Sequence, residues 1–133
     1  MLGVKQLIAV AMALALCSIV SADLSGTALI VDGDTITISG NKIRLSGIDT
    51  PEQNQNCRRA GITWRCGYEA TETLRNWTYT KEVRCVGDTK DRYGRLIANC
   101  FVDGYNVNAR LVYEGLALAY RKYSKQYVPE EDK

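Results

Sequence analysis

Histidine is absent from all 133 residues. That excludes hydrolases and phosphoryl-transfer enzymes that use imidazole as base, nucleophile or metal ligand, and it leaves proton transfer to a carboxylate. No CxxC pair occurs either, so the usual ligand sets for zinc are missing. The charges nearly cancel, with 17 Lys and Arg against 15 Asp and Glu for a formal +2. An anionic partner must therefore be argued from particular arginines, because there is no global basic field to attract one. Internal repeats, a linker and a second domain are also lacking. The one long apolar run, the 14 residues Leu7 to Val20, falls short of the roughly 20 needed to span a bilayer. Lys5 precedes it and the small-residue site Val20-Ser21-Ala22 follows it. Residues 1–22 thus read as a signal peptide, and 23–133 as a single exported domain, periplasmic or secreted, with no membrane attachment after cleavage.

The exported part keeps four cysteines, Cys57, Cys66, Cys85 and Cys100. An even count in an oxidising compartment favours two disulfides, for which three connectivities exist. Cys57 and Cys66 flank one short loop, RRAGITWR. Cys85 and Cys100 lie in consecutive strand patterns whose midpoint is Arg92/Tyr93, so a symmetric hairpin sets them opposite one another. The favoured pairing is Cys57–Cys66 with Cys85–Cys100, which leaves no thiol for catalysis. Arg58, Arg59, Trp64 and Arg65 in the first loop have the chemistry to touch a phosphate backbone or stack a base. The plainer reading of that stretch is a solvated, disulfide-closed loop.

Alternation of polar and apolar residues predicts strands at Thr35–Ile38 and Lys42–Leu45, and further strands at Glu82–Val86 and Arg95–Val102. Gly87 to Gly94 reads as the loop between the last two. Ala70, Leu74 and Trp77 recur at helical spacing within Tyr68–Tyr79. Asn106 is placed to cap a helix over Val107–Glu114, stopped by Gly115. Three strands, a helix, two strands and a helix suit a small α+β barrel such as the five-stranded OB-fold, though this order alone leaves other α+β folds open.

The stretch Val31–Glu52, VDGDTITISGNKIRLSGIDTPE, concentrates the candidate chemistry. It holds Asp32, Asp34, Arg44, Asp49 and Glu52. Arg44 alternates with Ile43 and Leu45 and so projects to the opposite face of its strand. Carboxylate oxygens beside an arginine and a spare glutamate suit metal-assisted phosphoryl chemistry with a hard cation, calcium or magnesium. Taken singly, each acid also suits an ordinary turn and each arginine an ordinary surface position.

GDT, the strand arginine, IDTPE and the later DRYGR together resemble the staphylococcal nuclease (thermonuclease) family, over about Gly26 to Tyr127. The resemblance implies an OB-fold barrel with packed helices. It also implies calcium-dependent hydrolysis of DNA and RNA, preferably single-stranded or flexible, leaving 3′-phosphate ends. Asp34 and Asp49, with the Thr50 carbonyl, would hold Ca2+. Glu52 would orient or deprotonate the attacking water, and Arg44 and Arg95 would contact the phosphoryl oxygens. Tyr93 and Tyr120 fall where the family places tyrosines near the nucleotide and Tyr123 matches more loosely, with core packing an equal reading for the last two. The expected state is a monomer. A non-catalytic OB module would have lost some of these acids or arginines, and all are present. The C-terminus departs from the family pattern: Val128-Pro129-Glu130-Glu131 starts like a helix but ends at Lys133. The expectation is a truncated helix, frayed from Pro129 to Lys133, leaving part of the barrel's apolar surface uncovered.

Overall fold

A computed structural model of the chain describes residues 22–121 and 124–131. The segment expected to be a signal peptide lies outside them except for Ala22, and so do Tyr123, Asp132 and Lys133. In chain order the strands are β1 (Ala22–Gly26), β2 (Ala28–Asp32), β3 (Thr35–Ile38), β4 (Asn41–Leu45) and β5 (Ile48–Asp49). The hairpin β6 (Cys57–Arg59) and β7 (Ile62–Trp64) precedes helix α1 (Cys66–Thr78). Then come β8 (Val83–Lys90), β9 (Leu96–Val102), β10 (Tyr105–Asn106), α2 (Val107–Tyr113), β11 (Leu118–Ala119) and α3 (Val128–Glu131).

The main sheet runs β1-β8-β9-β4-β3-β2, with β10 also paired to β9. Every pair is antiparallel except β4 with β9, where Ile43, Arg44 and Leu45 lie beside Leu96, Ile97 and Ala98. The sheet curls into a half-barrel, so the chain has the α+β, OB-like fold that the sequence predicts. Alternation decides which face is inside. Ile36, Ile38, Ile43, Leu45, Leu96, Ala98, Cys100 and Val102 are all buried, and Leu74 of α1 and Leu111 of α2 close over them.

The main sheet has two strands more than the expected five. β10 is the short return after the Asp103-Gly104 turn. β1 pairs with β8 from Ala22 opposite Gly87 to Gly26 opposite Val83, so Ala22 begins a strand. The predicted loop from Gly87 to Gly94 is also shorter than read, because β8 continues to Lys90. A register shift between Val86 and Thr89 lets it do so, as a bulge does. Gly87 is required there, since a Cβ would fall 2.1 Å from the Ile97 carbonyl oxygen.

Both expected disulfides are present. Cys85 lies directly opposite Cys100 in the β8–β9 ladder. Cys57–Cys66 ties the β6–β7 hairpin to the first residue of α1.

Asn108, on α2, is fully buried. Its amide group donates to the carbonyls of Ser46 (3.0 Å) and Ala98 (3.1 Å), and its Oδ1 accepts from the Cys100 N–H (3.1 Å). One side chain thus pins the turn after β4 to β9 beneath the helix.

The C-terminal turn differs from the expected fraying. Tyr127 is buried, and its hydroxyl donates to Asn99 Oδ1 at 2.6 Å. Glu131 accepts from the Ala119 N–H at 2.5 Å and from Arg121 at 3.0 Å. A single turn is costly to nucleate alone; here tertiary bonds hold it from Val128 to Glu131.

Candidate active site

Arg44 leaves β4 on the face opposite its buried neighbours, and its guanidinium is fixed by backbone carbonyls. It donates to the oxygens of Leu45 (2.9 Å) and Ile48 (3.0 Å). It also lies 3.4 Å from Asp34 Oδ2 and 3.8 Å from Asp49 Oδ1. Parallel pairing of β4 with β9 brings Arg95, the residue just before β9, to the same end of the sheet. Arg95 Nε donates to Asp91 at 2.7 Å and its Nη1 to Thr35 Oγ1 at 3.4 Å. The Thr35 hydroxyl in turn donates to Asp34 Oδ1 at 3.2 Å. One chain of polar contacts therefore runs Asp91–Arg95–Thr35–Asp34–Arg44–Asp49, joining two motifs far apart in sequence.

Both arginines line a cleft of about 830 Å³ together with Asp91, Tyr93 and Tyr120. Tyr93 is 67% exposed, and its ring lies under the guanidinium groups of Arg92 and Arg95, at 4.8 and 5.5 Å. Tyr120 lines the cleft wall, and its N–H donates to the Gly47 carbonyl at 2.8 Å. Asp34, Asp49 and Glu52 are not part of that lining. The first two flank Arg44. Glu52 sits on the loop after β5, exposed, its carboxylate making no hydrogen bond or ion pair among the described residues.

The Glu52 backbone is nonetheless firmly placed. Its N–H donates to Gln55 Oε1 (3.2 Å) and its carbonyl accepts from the Gln55 N–H (2.8 Å). The same carbonyl packs against Gly67 of α1, where a Cβ would come within 1.6 Å of it. Glycine there lets the glutamate loop dock on the start of the helix.

The acids next to Arg44 oppose one another. Burial pushes the Asp49 carboxyl above its ordinary range and the charge of Asp34 adds to this, with Arg44 pulling the other way. Asp32 is raised by burial and by the same neighbour. The buried Thr50 hydroxyl has no hydrogen-bond partner. Crowded carboxylates fit a hard divalent cation, which prefers oxygen ligands and relieves their repulsion, and the Thr50 N–H, bonded to Asp34 Oδ2 at 3.2 Å, holds Thr50 next to them. Among the described residues no three Cys, Asp or Glu side chains cluster as a metal set. Such an ion would thus rest on Asp34 and Asp49, with Thr50 and water completing its shell.

Two members of this network, Thr35 and Asp91, carry no role in the sequence reading. Thr35 follows Asp34 in GDT, and Asp91 opens DRYGR four residues before Arg95, which are the only signals they gave. Burial alone would raise the Asp91 carboxyl. Hydrogen bonds from the Arg95 side chain and from the Arg95 and Tyr93 N–H groups outweigh it and hold the carboxyl below the ordinary 3.8. The folded protein thus binds this proton less readily than the unfolded chain. The resulting stabilisation is present above pH 3.8 and lost as pH falls through the lower folded value. Carbon-detected NMR titration should give Asp91 a midpoint below 3.8, and Arg95→Gln should raise it, since the side-chain bond and charge are lost while the two backbone N–H bonds remain. An ordinary midpoint in the unsubstituted protein would remove Asp91 as the anchor of Arg95.

Barrel, paired guanidinium groups and bordering carboxylates define an OB-like domain whose cleft suits a multiply oxygenated anion. Residues 42–133 match the staphylococcal nuclease homologue family, and the chain belongs to it. The match takes in Arg44, Asp49, Glu52 and Arg95 and begins after Asp34. Among curated relatives, the succinoglycan biosynthesis protein ExoI of Rhizobium meliloti is 38% identical over 70% of this chain and 50% of its own length. An "uncharacterized endonuclease" of Haemophilus influenzae is 38% identical over 71% of this chain and 51% of its own. The micrococcal nuclease of Shigella flexneri is 34% identical over 78% and 63%. The chain spans about half the length of the first two relatives.

Proposed function

We propose that this chain is a calcium-dependent nuclease that hydrolyses phosphodiester bonds in DNA and RNA and leaves 3′-phosphate ends. The observation that carries the reading is the pairing of Arg44 and Arg95 in one cleft, linked through Thr35 and Asp34. Planar guanidinium forks match phosphoryl oxygens two at a time and remain charged at any working pH. Backbone and carboxylate anchors fix both groups before substrate arrives, so little reorganisation is needed as charge builds on the phosphoryl oxygens. The exposed Glu52 carboxylate would orient a water and take its proton. Asp34, Asp49 and Thr50 would hold the calcium ion, which supplies Lewis-acid stabilisation of that charge when bound. The exposed Tyr93 ring, and Tyr120 beside it, would pack against the nucleotide. Tyr123 belongs to the same proposal from the family pattern. The names of two relatives, an endonuclease and a micrococcal nuclease, support the reading.

The same reading includes cleavage of residues 1–22, export to the periplasm or beyond, and action as a monomer on single-stranded or flexible substrate. No helix among the described residues is long and apolar enough to cross a membrane. Digestion of an end-labelled oligonucleotide with calcium, and again with excess EDTA, tests the proposal. Cleavage to 3′-phosphate ends should appear with calcium and vanish with chelator. Full activity in EDTA would sink the metal-assisted mechanism, and binding without cutting under any divalent cation would make the chain a binding module.

A further inference from the structure

The disulfide-closed segment between Glu52 and α1 is a preorganised hairpin rather than a loop. Cys57, Arg58 and Arg59 pair with Trp64, Thr63 and Ile62. The connection is Ala60-Gly61, with φ of +50° and +79°, as in the tight turn that matches strand twist. Cys57–Cys66 locks its base to α1. Cross-strand partners share a face and successive residues alternate, so Trp64 and Arg59 belong to one face and Arg58 to the other.

Trp64 lines a groove of about 270 Å³ together with Asp49, Thr50 and Leu118. That groove adjoins the cleft described above, because Asp49 is also the acid that borders Arg44. Ile48 lines one depression and Asp49 the other, as expected of consecutive residues in β5. Leu118, opposite Asp49 in the β5–β11 pair, is 64% exposed. Between Gln53 and Tyr68 the chain has three arginines and no acid, in a protein otherwise near charge balance. Arg58 and Arg59 are exposed, and neither meets a carboxylate among the described residues. The groove thus has an aromatic and an aliphatic wall, and Arg59, outside its lining, is carried on the hairpin face that Trp64 shares.

We infer that this hairpin is a second subsite for a polynucleotide strand, on the Asp49 side of the proposed active site. A base stacks on Trp64 against Leu118, and a neighbouring phosphate meets Arg59. The inference rests on a nucleic-acid substrate and deepens that reading: the ligand is an extended single strand crossing β5 from the tyrosine cleft to the hairpin. A rigid hairpin loses little conformational freedom on binding, which favours this role.

Fluorescence anisotropy with a labelled 12-residue oligothymidylate, in EDTA so that nothing is cut, tests the subsite separately from hydrolysis. Trp64→Ala should weaken binding roughly 5- to 150-fold, the span of one base–aromatic stack, and Trp64→Phe should restore much of it. Arg59→Ala should flatten the dependence of log affinity on log salt by about 0.7, the increment for one single-strand phosphate. Arg58→Ala removes the same charge from the other face and should leave that slope unchanged. A labelled dinucleotide, too short to reach the hairpin, should bind all four variants like the parent. Equal effects of Arg58→Ala and Arg59→Ala would reduce the hairpin to general charge and overturn the subsite. So would unchanged 12-mer binding in Trp64→Ala, failure of the parent to bind, or a groove filled by a second copy, seen as self-association that these variants abolish. A parent that binds in this pattern but never cuts would leave the subsite standing and refute the nuclease reading.

Discussion

Glu52→Gln is expected to lower phosphodiester cleavage by roughly 10²–10⁴-fold, the usual contribution of a positioned base, without moving the thermal unfolding midpoint. The two halves of this expectation have separate causes. The carboxylate is exposed and makes no bond among the described residues, so nothing in the fold depends on its charge. Its placement comes from the backbone, through Gln55 and the close approach to Gly67, and glutamine keeps both. What the substitution removes is the capacity to accept a proton from water. Multiple-turnover cleavage with saturating calcium, beside a circular-dichroism melt, reads both halves. Turnover near that of the parent would assign water activation elsewhere. A lowered melting point would make Glu52 a structural acid.

Asn108→Leu should cost several kcal/mol of stability, because it strands buried backbone groups. The Ser46 carbonyl, the Ala98 carbonyl and the Cys100 N–H all lose a partner, although Ala98 keeps the bond from the Ser46 N–H. Each unsatisfied buried group costs about 1–3 kcal/mol. For a domain of this size each kcal/mol is worth about 4–8 °C in Tm, so differential scanning calorimetry should show a drop well beyond 10 °C. Activity should decline as well, since Asn108 holds the turn immediately after Arg44. A variant that melts within a few degrees of the parent would mean that water replaces the amide and the helix pins nothing.

Asn108 also shows where sequence reading ends. Ile36, Ile38, Ile43 and Leu45 announce their strands by alternation alone, because one face of each strand is buried. Arg44 and Arg95 were legible by motif, and the cysteine pairs by spacing and hairpin symmetry. Asn108 sits on a short helix and looks like any polar helical residue. Its role exists only because the turn after β4 and strand β9, distant in sequence, converge beneath it. β1 was missed for a similar reason: ADLSG has little intrinsic strand character, and β8 supplies its bonds. The bulge at Gly87 was hidden because a lone glycine near polar residues reads as a loop. The turn at Val128–Glu131 looked too short to hold, and Glu131 bonding back to Ala119 could not be seen from its neighbours. The candidate site was therefore easier to pick out than its scaffold. Its residues belong to motifs, whereas the scaffold's decisive contacts are pairings between remote segments.

The parallel pairing of β4 with β9 also dictates the order of events during folding. Asp34, Arg44, Asp49 and Glu52 all leave the ribosome before the strand that completes their sheet exists. A hairpin of β3 and β4 can close locally, but Ile43 finds its other neighbour only when Leu96 arrives. Sequence-distant pairings of this kind slow folding, because loop closure must precede the contacts that reward it. The arginine pair therefore forms with the barrel and not with the local hairpin, so a chain still being made holds most of the candidate site residues without the pairing that brings Arg44 and Arg95 to one cleft.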